Sequence, residues 1–265
     1  MGASSQQGVG LALGGGVLRG LAHIGVLRAI REAGIRIDCL AGTSSGAVIG
    51  ACYAAGISPE SMEEIASRAQ WRNLAEVSIR RDGLISTKRL AAYLDSIIGG
   101  ATFDDLGPKF AVVACDIATG DEVVISTGRV SEAVRASCAI PGIFVPVRHG
   151  GRVLVDGGLC NNVPASVVRR LGADFVIAVD VNAAVLAEAP PPRNVFQVIV
   201  QAIHVLQQGN VSREVAHADL LIRPALSGLS PVEFAHARDF IDRGYRAARE
   251  ALAGLRPGGP AGRPR

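Results

Sequence analysis

The first 55 residues alternate strand and helix twice, and that alternation restricts the fold more than any other feature of the chain. Residues 8–13 form a short apolar run of strand character, and Gly14-Gly15-Gly16 then turns the chain. From Arg19 to about Ala33 the apolar positions Leu21, Ile24, Leu27 and Ile30 recur at helical spacing, and Gly34 ends the helix. Residues 37–41 are a second strand, the turn Gly42-Thr43-Ser44-Ser45-Gly46 follows, and residues 47–55 read as a helix of small side chains. Strand, helix, strand and helix at this spacing make a βαβα unit, which needs a parallel sheet covered by helices.

Beyond this unit, Ser58-Pro59-Glu60 starts a helix, with proline at its first position and an acid in its first turn. Helices are also expected over 87–98, 130–138, 165–171, 194–217 and 231–255. Strands are expected over 110–117, 122–126, 145–148, 153–155, 175–181 and 220–222. Because strands occur all along the chain, the expectation is one domain over 1–255, followed by a flexible Pro/Gly/Arg-rich tail at 256–265. Residues 187–193, with three consecutive prolines, are the only linker-like stretch inside it.

A hydrophobic content of 49% over 265 residues supports a large core. A net charge of +3 is too small for a nucleic-acid footprint, so no nucleic-acid partner is expected. Residues 1–10 carry no basic residue ahead of an apolar core, which excludes a secretory signal, and Gln6 breaks the myristoylation pattern begun by Met1-Gly2. No apolar run reaches the roughly 18 residues of a membrane span. The expectation is a cytoplasmic chain whose membrane contact, where it occurs, is peripheral. Val198-Ile199-Val200, beside the proline-rich stretch, marks a helix that could border a lipid entrance or meet a membrane; a core or dimer helix has the same pattern. Oligomeric state is not legible. Five cysteines, an odd number without a C-x-x-C pair, read as small buried hydrophobes, and no metal or other cofactor is called for.

Gly42-x-Ser44-x-Gly46 follows a buried strand and precedes a helix, which is the setting of a nucleophile elbow. The two glycines remove Cβ atoms where strand and helix meet, and the helix aims its positive end at the serine. Helix capping by Thr43 or Ser45 would use the same residues. A serine needs a base. His204, His217 and His236 follow it in the order of a triad, but all three lie in helical patterns, and only one strand and one helix precede the elbow strand. Asp156 is the better placed group, directly after the strand at 153–155 and before Gly157-Gly158. Burial would raise its pKa toward that of a useful base, although an Asx-turn also explains an acid there.

Gly14-Gly15-Gly16 leads from a strand into a helix, where successive N–H groups can hold an anion, either a phosphate or an oxyanion. With Asp38 about twenty residues on, this is also a partial dinucleotide fingerprint. Arg19 occupies the place of its third glycine, and Asp38 begins its strand rather than ending it.

Taken together, Gly14-Gly15-Gly16-Val17-Leu18-Arg19-Gly20, the GTSSG turn and Asp156-Gly157-Gly158, with the flanks LAHIGVLRAI, VRASCAIPGIFVPV and DGGLCNNVP, resemble the patatin-like phospholipase family. The likeness is to its bacterial branch, related to the neuropathy target esterase catalytic domain, and it runs from about Val9 through the last helix. The resemblance implies a three-layer α/β/α fold with a mostly parallel central sheet. It implies a Ser-Asp dyad without histidine, in which Ser44 is the nucleophile, Asp156 the base and the Gly14–Gly16 N–H groups the oxyanion hole. Arg19, Gly20, Gly42, Gly46, Gly157 and Gly158 support the motifs; Arg19 would make an ion pair or anion contact. The substrate would be a fatty-acyl ester of a phospholipid, lysophospholipid or neutral lipid, cleaved without a metal. The family carries a further glycine and a small residue where this chain has Val17 and Leu18. This departure leaves open an oxyanion hole built only from earlier N–H groups, slow turnover, or a lipid-binding regulatory protein.

Overall fold

Alternation of large and small side chains along the strands decides how the sheet is covered. In the computed structural model, residues 8–74, 76–80, 83–183, 191–192 and 195–254 are described. In chain order the elements are β1 (Val9–Leu13), α1 (Ala22–Glu32), β2 (Cys39–Thr43), α2 (Ser45–Ala54), α3 (Pro59–Arg68), α4 (Trp71–Leu74), β3 (Glu76–Arg80), β4 (Gly83–Ser86), α5 (Lys88–Ile98), β5 (Lys109–Asp116) and β6 (Glu122–Ile125). They continue with α6 (Val130–Ser137), β7 (Val147–His149), β8 (Arg152–Asp156), α7 (Ala165–Arg170), β9 (Phe175–Val179), α8 (Val195–Glu214), β10 (Leu220–Ile222) and α9 (Ala237–Ala253).

The main sheet has the order β10-β9-β1-β2-β5-β8-β7, with β6 also paired to β5. Pairing is parallel from β10 through β5 and antiparallel where β5 meets β6 and β8 and where β8 meets β7. Leu11, Leu13, Leu40, Val112 and Ile177 pack on one face against α1, α2 and α9. Ala12, Cys39, Ala41, Ala111 and Ala178 lie on the other face against α7 and Val211 of α8. The small residues let α7 sit close to the sheet. The result is the expected three-layer α/β/α arrangement.

Several boundaries differ from the sequence pattern. A 3-10 turn, Val17–Leu21, precedes α1, and β2 runs two residues later than expected. The last helix begins at Ala237 rather than near 231. The carbonyls ahead of it are taken by other parts of the fold: Pro231 O accepts Leu18 N–H at 3.3 Å, and Val232 O accepts the Trp71 indole N–H at 2.7 Å. The antiparallel β3–β4 hairpin was not anticipated. The expected tail at 256–265, the Gln6 position and most of the proline-rich stretch lie outside the described residues.

Candidate active site

The turn after β2 holds Ser44 at φ 52°, ψ −122°, a left-handed conformation that costs a non-glycine residue about 1–3 kcal/mol. The sequence makes this turn possible through its two glycines. A Cβ on Gly42 would lie 2.6 Å from Gly46 O and 2.7 Å from Ala47 N, and one on Gly46 would overlap the Leu13 carbonyl. The turn is braced from α6. Ser137 Oγ accepts the Ser44 N–H at 2.7 Å and donates to Val113 O at 2.5 Å.

Strand register brings Asp156 to the same place across 112 residues of chain. Thr43 pairs with Val113 of β5, and the adjacent Ala114 pairs with Asp156 of β8. The Asp156 carboxylate accepts Gly158 N–H at 2.8 Å. Burial raises its pKa to about 6, and hydrogen bonding from the Ser44 hydroxyl and the Gly158 N–H offsets part of that rise. Gly157 packs against the Val113 carbonyl and Gly20 against the Ser45 side chain, so neither position has room for a Cβ.

The glycine loop lies over Ser44, but its N–H groups are already in use. Gly14 N–H donates to Val179 O at 3.0 Å, Gly15 N–H to Asn162 O at 3.1 Å, and Gly16 N–H to Ser45 Oγ at 2.9 Å. The next N–H along, that of Val17, and the N–H of Ser45 have no acceptor among the described residues. Val17, like Ser44, is a non-glycine residue with positive φ, at 54°. Around the loop, Asn162 and Asn182 donate to Gly15 O at 3.3 and 2.8 Å, and His23 Nε2–H donates to Gly14 O at 2.7 Å. Burial lowers the His23 pKa to about 4, which keeps it neutral. Arg19 makes no ion pair among the described residues; its guanidinium donates to Asn182 Oδ1 at 3.4 Å.

The cavity at Ser44 is apolar. It has a volume of about 190 Å³, and its walls include Val17, Leu18, Ile49, Leu94, Ile140 and Phe144 together with Ser44 and Cys138. Burial first, and the charge of Asp156 second, push the Cys138 thiol pKa up. An apolar cavity of about 150 Å³ already admits benzene, so this one holds a stretch of hydrocarbon.

No hydrogen bond among the described residues joins a histidine to Ser44 or Asp156; His23 is turned to Gly14 and His236 to Asp239. Asp38, the acid of the partial dinucleotide fingerprint, accepts Val9 N–H at 3.0 Å at the start of β1, at the opposite end of that strand from the glycine loop. Among the described residues there is no cluster of three or more potential metal ligands and no helix long and apolar enough to cross a membrane. Sequence reasoning missed Ser137, Cys138, Asn162 and Asn182. The first three stand in the flanks VRASCAIPGIFVPV and DGGLCNNVP, but a side chain that braces a distant backbone has no local pattern.

A sequence profile described as "Patatin-like phospholipase" matches residues 11–169. The chain is 37% identical over 193 residues to an uncharacterized NTE family protein of Mycobacterium bovis, covering 72% of this chain and 53% of that protein. It is 27% identical over 283 residues to "Lysophospholipase NTE1" of Pyricularia oryzae, covering 95% of this chain and 19% of that one. The first relatives matched are about twice as long as the stretch this chain spans. Among solved structures it is similar to VipD from Legionella pneumophila, with TM-score 0.51 and 16% identity over 95% of this chain and 67% of that one, a likeness of fold. The three motifs, the α/β/α layers and the match over residues 11–169 agree, and the chain belongs to the patatin-like phospholipase family.

Proposed function

We propose that the chain is a serine acyl hydrolase acting on carboxylic esters of lipids, with Ser44 as nucleophile and Asp156 as general base. The observation that carries this reading is the meeting of three features at one point: a strained serine, a buried carboxyl facing its hydroxyl, and a hydrocarbon-sized cavity opening beside it.

The ionised Asp156 takes the Ser44 hydroxyl proton as Oγ attacks the ester carbonyl carbon. The negative charge on the tetrahedral oxygen falls to the N–H of Val17, at the end of the glycine loop, and that of Ser45, at the N-terminal end of α2, neither of which has an acceptor among the described residues. Gly14 to Gly16 hold the loop in place in this scheme rather than donating. Collapse of the intermediate breaks the ester C–O bond, Asp156 returns its proton to the departing alcohol, and the acyl group remains on Ser44. Water then attacks the acyl-enzyme, giving its proton to Asp156, and the fatty acid leaves as Ser44 is reprotonated. A base with a pKa near 6 is ionised at neutral pH yet retains affinity for the proton. The lysophospholipase name of the Pyricularia relative agrees with a lipid ester as substrate.

The reading extends to peripheral contact with a lipid surface, because α8 exposes Val198, Val205 and Leu206 to solvent. A fluorophosphonate probe tests the catalytic core: wild type should label and Ser44→Ala should not, and a lipid panel should release fatty acid only with wild type. Lipid binding without labelling would instead establish a regulatory protein.

A further inference from the structure

Two of the five cysteines meet beside the turn that carries Asp156. Side chains along β5 alternate between faces, and Ala111 and Val113 lie on the face covered by α7. Cys115 continues that series near the end of the strand, and Cys160 packs on the same cluster from the loop after β8. The Cys160 S–H has three acceptors in reach. They are Gly157 O at 3.3 Å, Ala114 O at 3.7 Å and the Cys115 sulfur. Cys115 is buried and Cys160 is partly exposed, so the pair is reached from solvent through Cys160.

Contact between two thiols has a chemical consequence that a lone buried cysteine lacks. A thiolate at Cys115 keeps the Cys160 S–H as a donor, which lowers the Cys115 pKa although burial and the charges of Asp116 and Asp156 oppose it. The same bond, together with burial, pushes the Cys160 thiol up. The pair therefore offers a nucleophilic sulfur with a second thiol beside it that holds a proton.

We propose that Cys115 and Cys160 form a redox modification site, in which a hydroperoxide converts the two thiols to a disulfide and pulls Asp156 away from its place beside Ser44. The Cys115 thiolate attacks a peroxide oxygen, and the O–O bond breaks. Cys115 becomes a sulfenic acid, and the departing oxygen takes the proton of Cys160. The Cys160 thiolate then attacks the Cys115 sulfur, the S–O bond breaks, and the hydroxide released takes up the proton that Cys115 first lost. Two thiols and ROOH become one disulfide, ROH and water. The sulfurs give up two electrons and the peroxide accepts them.

The strand side of this bond is fixed. β5 is hydrogen-bonded to β2, β6 and β8, so the sulfur that shifts is that of Cys160. Cys160 ends the 3-10 turn Gly157–Leu159, which begins at Asp156. Gly158 N–H reaches back to the Asp156 carboxylate at 2.8 Å, and Cys160 N–H to Gly157 O at 3.1 Å. Gly157 already rests on the Val113 carbonyl, so the turn cannot follow Cys160 toward β5 as a rigid unit. Drawing the two sulfurs from contact to bonding distance therefore distorts the turn and displaces Asp156. A catalytic group displaced by about 1 Å costs up to about 100-fold in rate. The effect on rate rests on the catalytic reading of Ser44 and Asp156; the disulfide itself does not.

The test treats the reduced protein with hydrogen peroxide, blocks the remaining thiols with N-ethylmaleimide and maps the peptides by mass spectrometry, beside a p-nitrophenyl ester assay. A linked Cys115–Cys160 peptide pair should appear, and kcat should fall at least about tenfold with KM little changed. Dithiothreitol should reverse both changes. Cys115→Ala and Cys160→Ala, each compared with its own untreated rate, should keep their activity through the same treatment. The absence of the linked pair, a linked pair with an unchanged rate, or inactivation of both variants as fast as wild type overturns the proposal, the last by pointing to another thiol such as Cys138. Reduced protein that neither reacts with a fluorophosphonate nor turns over the ester overturns the catalytic reading and the rate effect with it, and peptide mapping then decides the modification site alone.

Discussion

The hydroxyl of Ser137 accepts a hydrogen bond from the backbone N–H of Ser44 at 2.7 Å and donates one to the Val113 carbonyl at 2.5 Å. A side chain from α6 therefore ties the strained turn to β5, the strand that also carries the pairing partner of Asp156. Ser137→Ala leaves that N–H buried and unpaired, at about 1–3 kcal/mol. The expected outcome is a kcat about tenfold lower with KM little changed, together with a reduced Tm. Steady-state kinetics showing normal kcat would remove the brace from the mechanism.

In the proposed mechanism Asp156 sets the acid limb of the pH profile. Because the base must be ionised, kcat/KM should fall about tenfold per pH unit below pH 6 and level off above it. Asp156→Asn should abolish turnover at every pH. A profile still rising well above pH 7 would contradict this assignment.

Stability supplies a second signature from the same residue. Between pH 3.8 and about 6 the native Asp156 keeps a proton that the unfolded chain has released, so its contribution is present below 3.8 and is lost as pH rises through 6. His23 slopes the other way. Unfolded, it protonates near 6.5; native, only near 4, so its contribution is present above 6.5 and is lost as pH falls toward 4. The two oppose each other between pH 4 and 6. Asp156→Asn should gain up to about 3 kcal/mol at pH 7 and show a steeper loss from pH 6 to 4 than wild type, read from urea midpoints.

Val17 combines two effects, since its φ of 54° is unfavourable for a β-branched residue and its side chain walls the apolar cavity. Val17→Gly should raise stability by about 1–2 kcal/mol, from relief of left-handed strain. Val17→Ala should recover less. Both should shift the preferred p-nitrophenyl ester toward longer acyl chains, because both remove the isopropyl group. A raised Tm with an unchanged chain-length profile would confine Val17 to a backbone effect.

A histidine-free dyad predicts that His217→Ala and His236→Ala retain at least about half of the aryl esterase activity. Neither ring is bonded to Ser44 or Asp156; His236 faces Asp239 at 3.5 Å. A loss of more than about 100-fold in either variant, with circular dichroism unchanged, would require a triad.

Membrane contact through α8 is read by liposome sedimentation. Val198→Asp and Leu206→Asp should each release the protein from anionic vesicles, since each places a charge on an exposed apolar face. Unchanged sedimentation would assign that face another role.

The βαβα start, the glycine loop, the Ser44 elbow and Asp156 were all legible in the sequence, because each depends on backbone geometry that only particular local residues allow. Gly42 and Gly46 can be read as close approaches because a Cβ there has nowhere to go. What lay outside its reach depends on strand register and on partners far along the chain. β5 brings Ser44 and Asp156 together, Ser137 braces the elbow, and Asn162 and Asn182 hold the Gly15 carbonyl. The glycine loop shows the division most clearly. Its residues announced a row of N–H groups beside Ser44. Only packing against β9, Asn162 and Ser45 determined that Gly14 to Gly16 spend theirs on the scaffold, leaving the N–H of Val17, in a strained turn, facing no acceptor among the described residues.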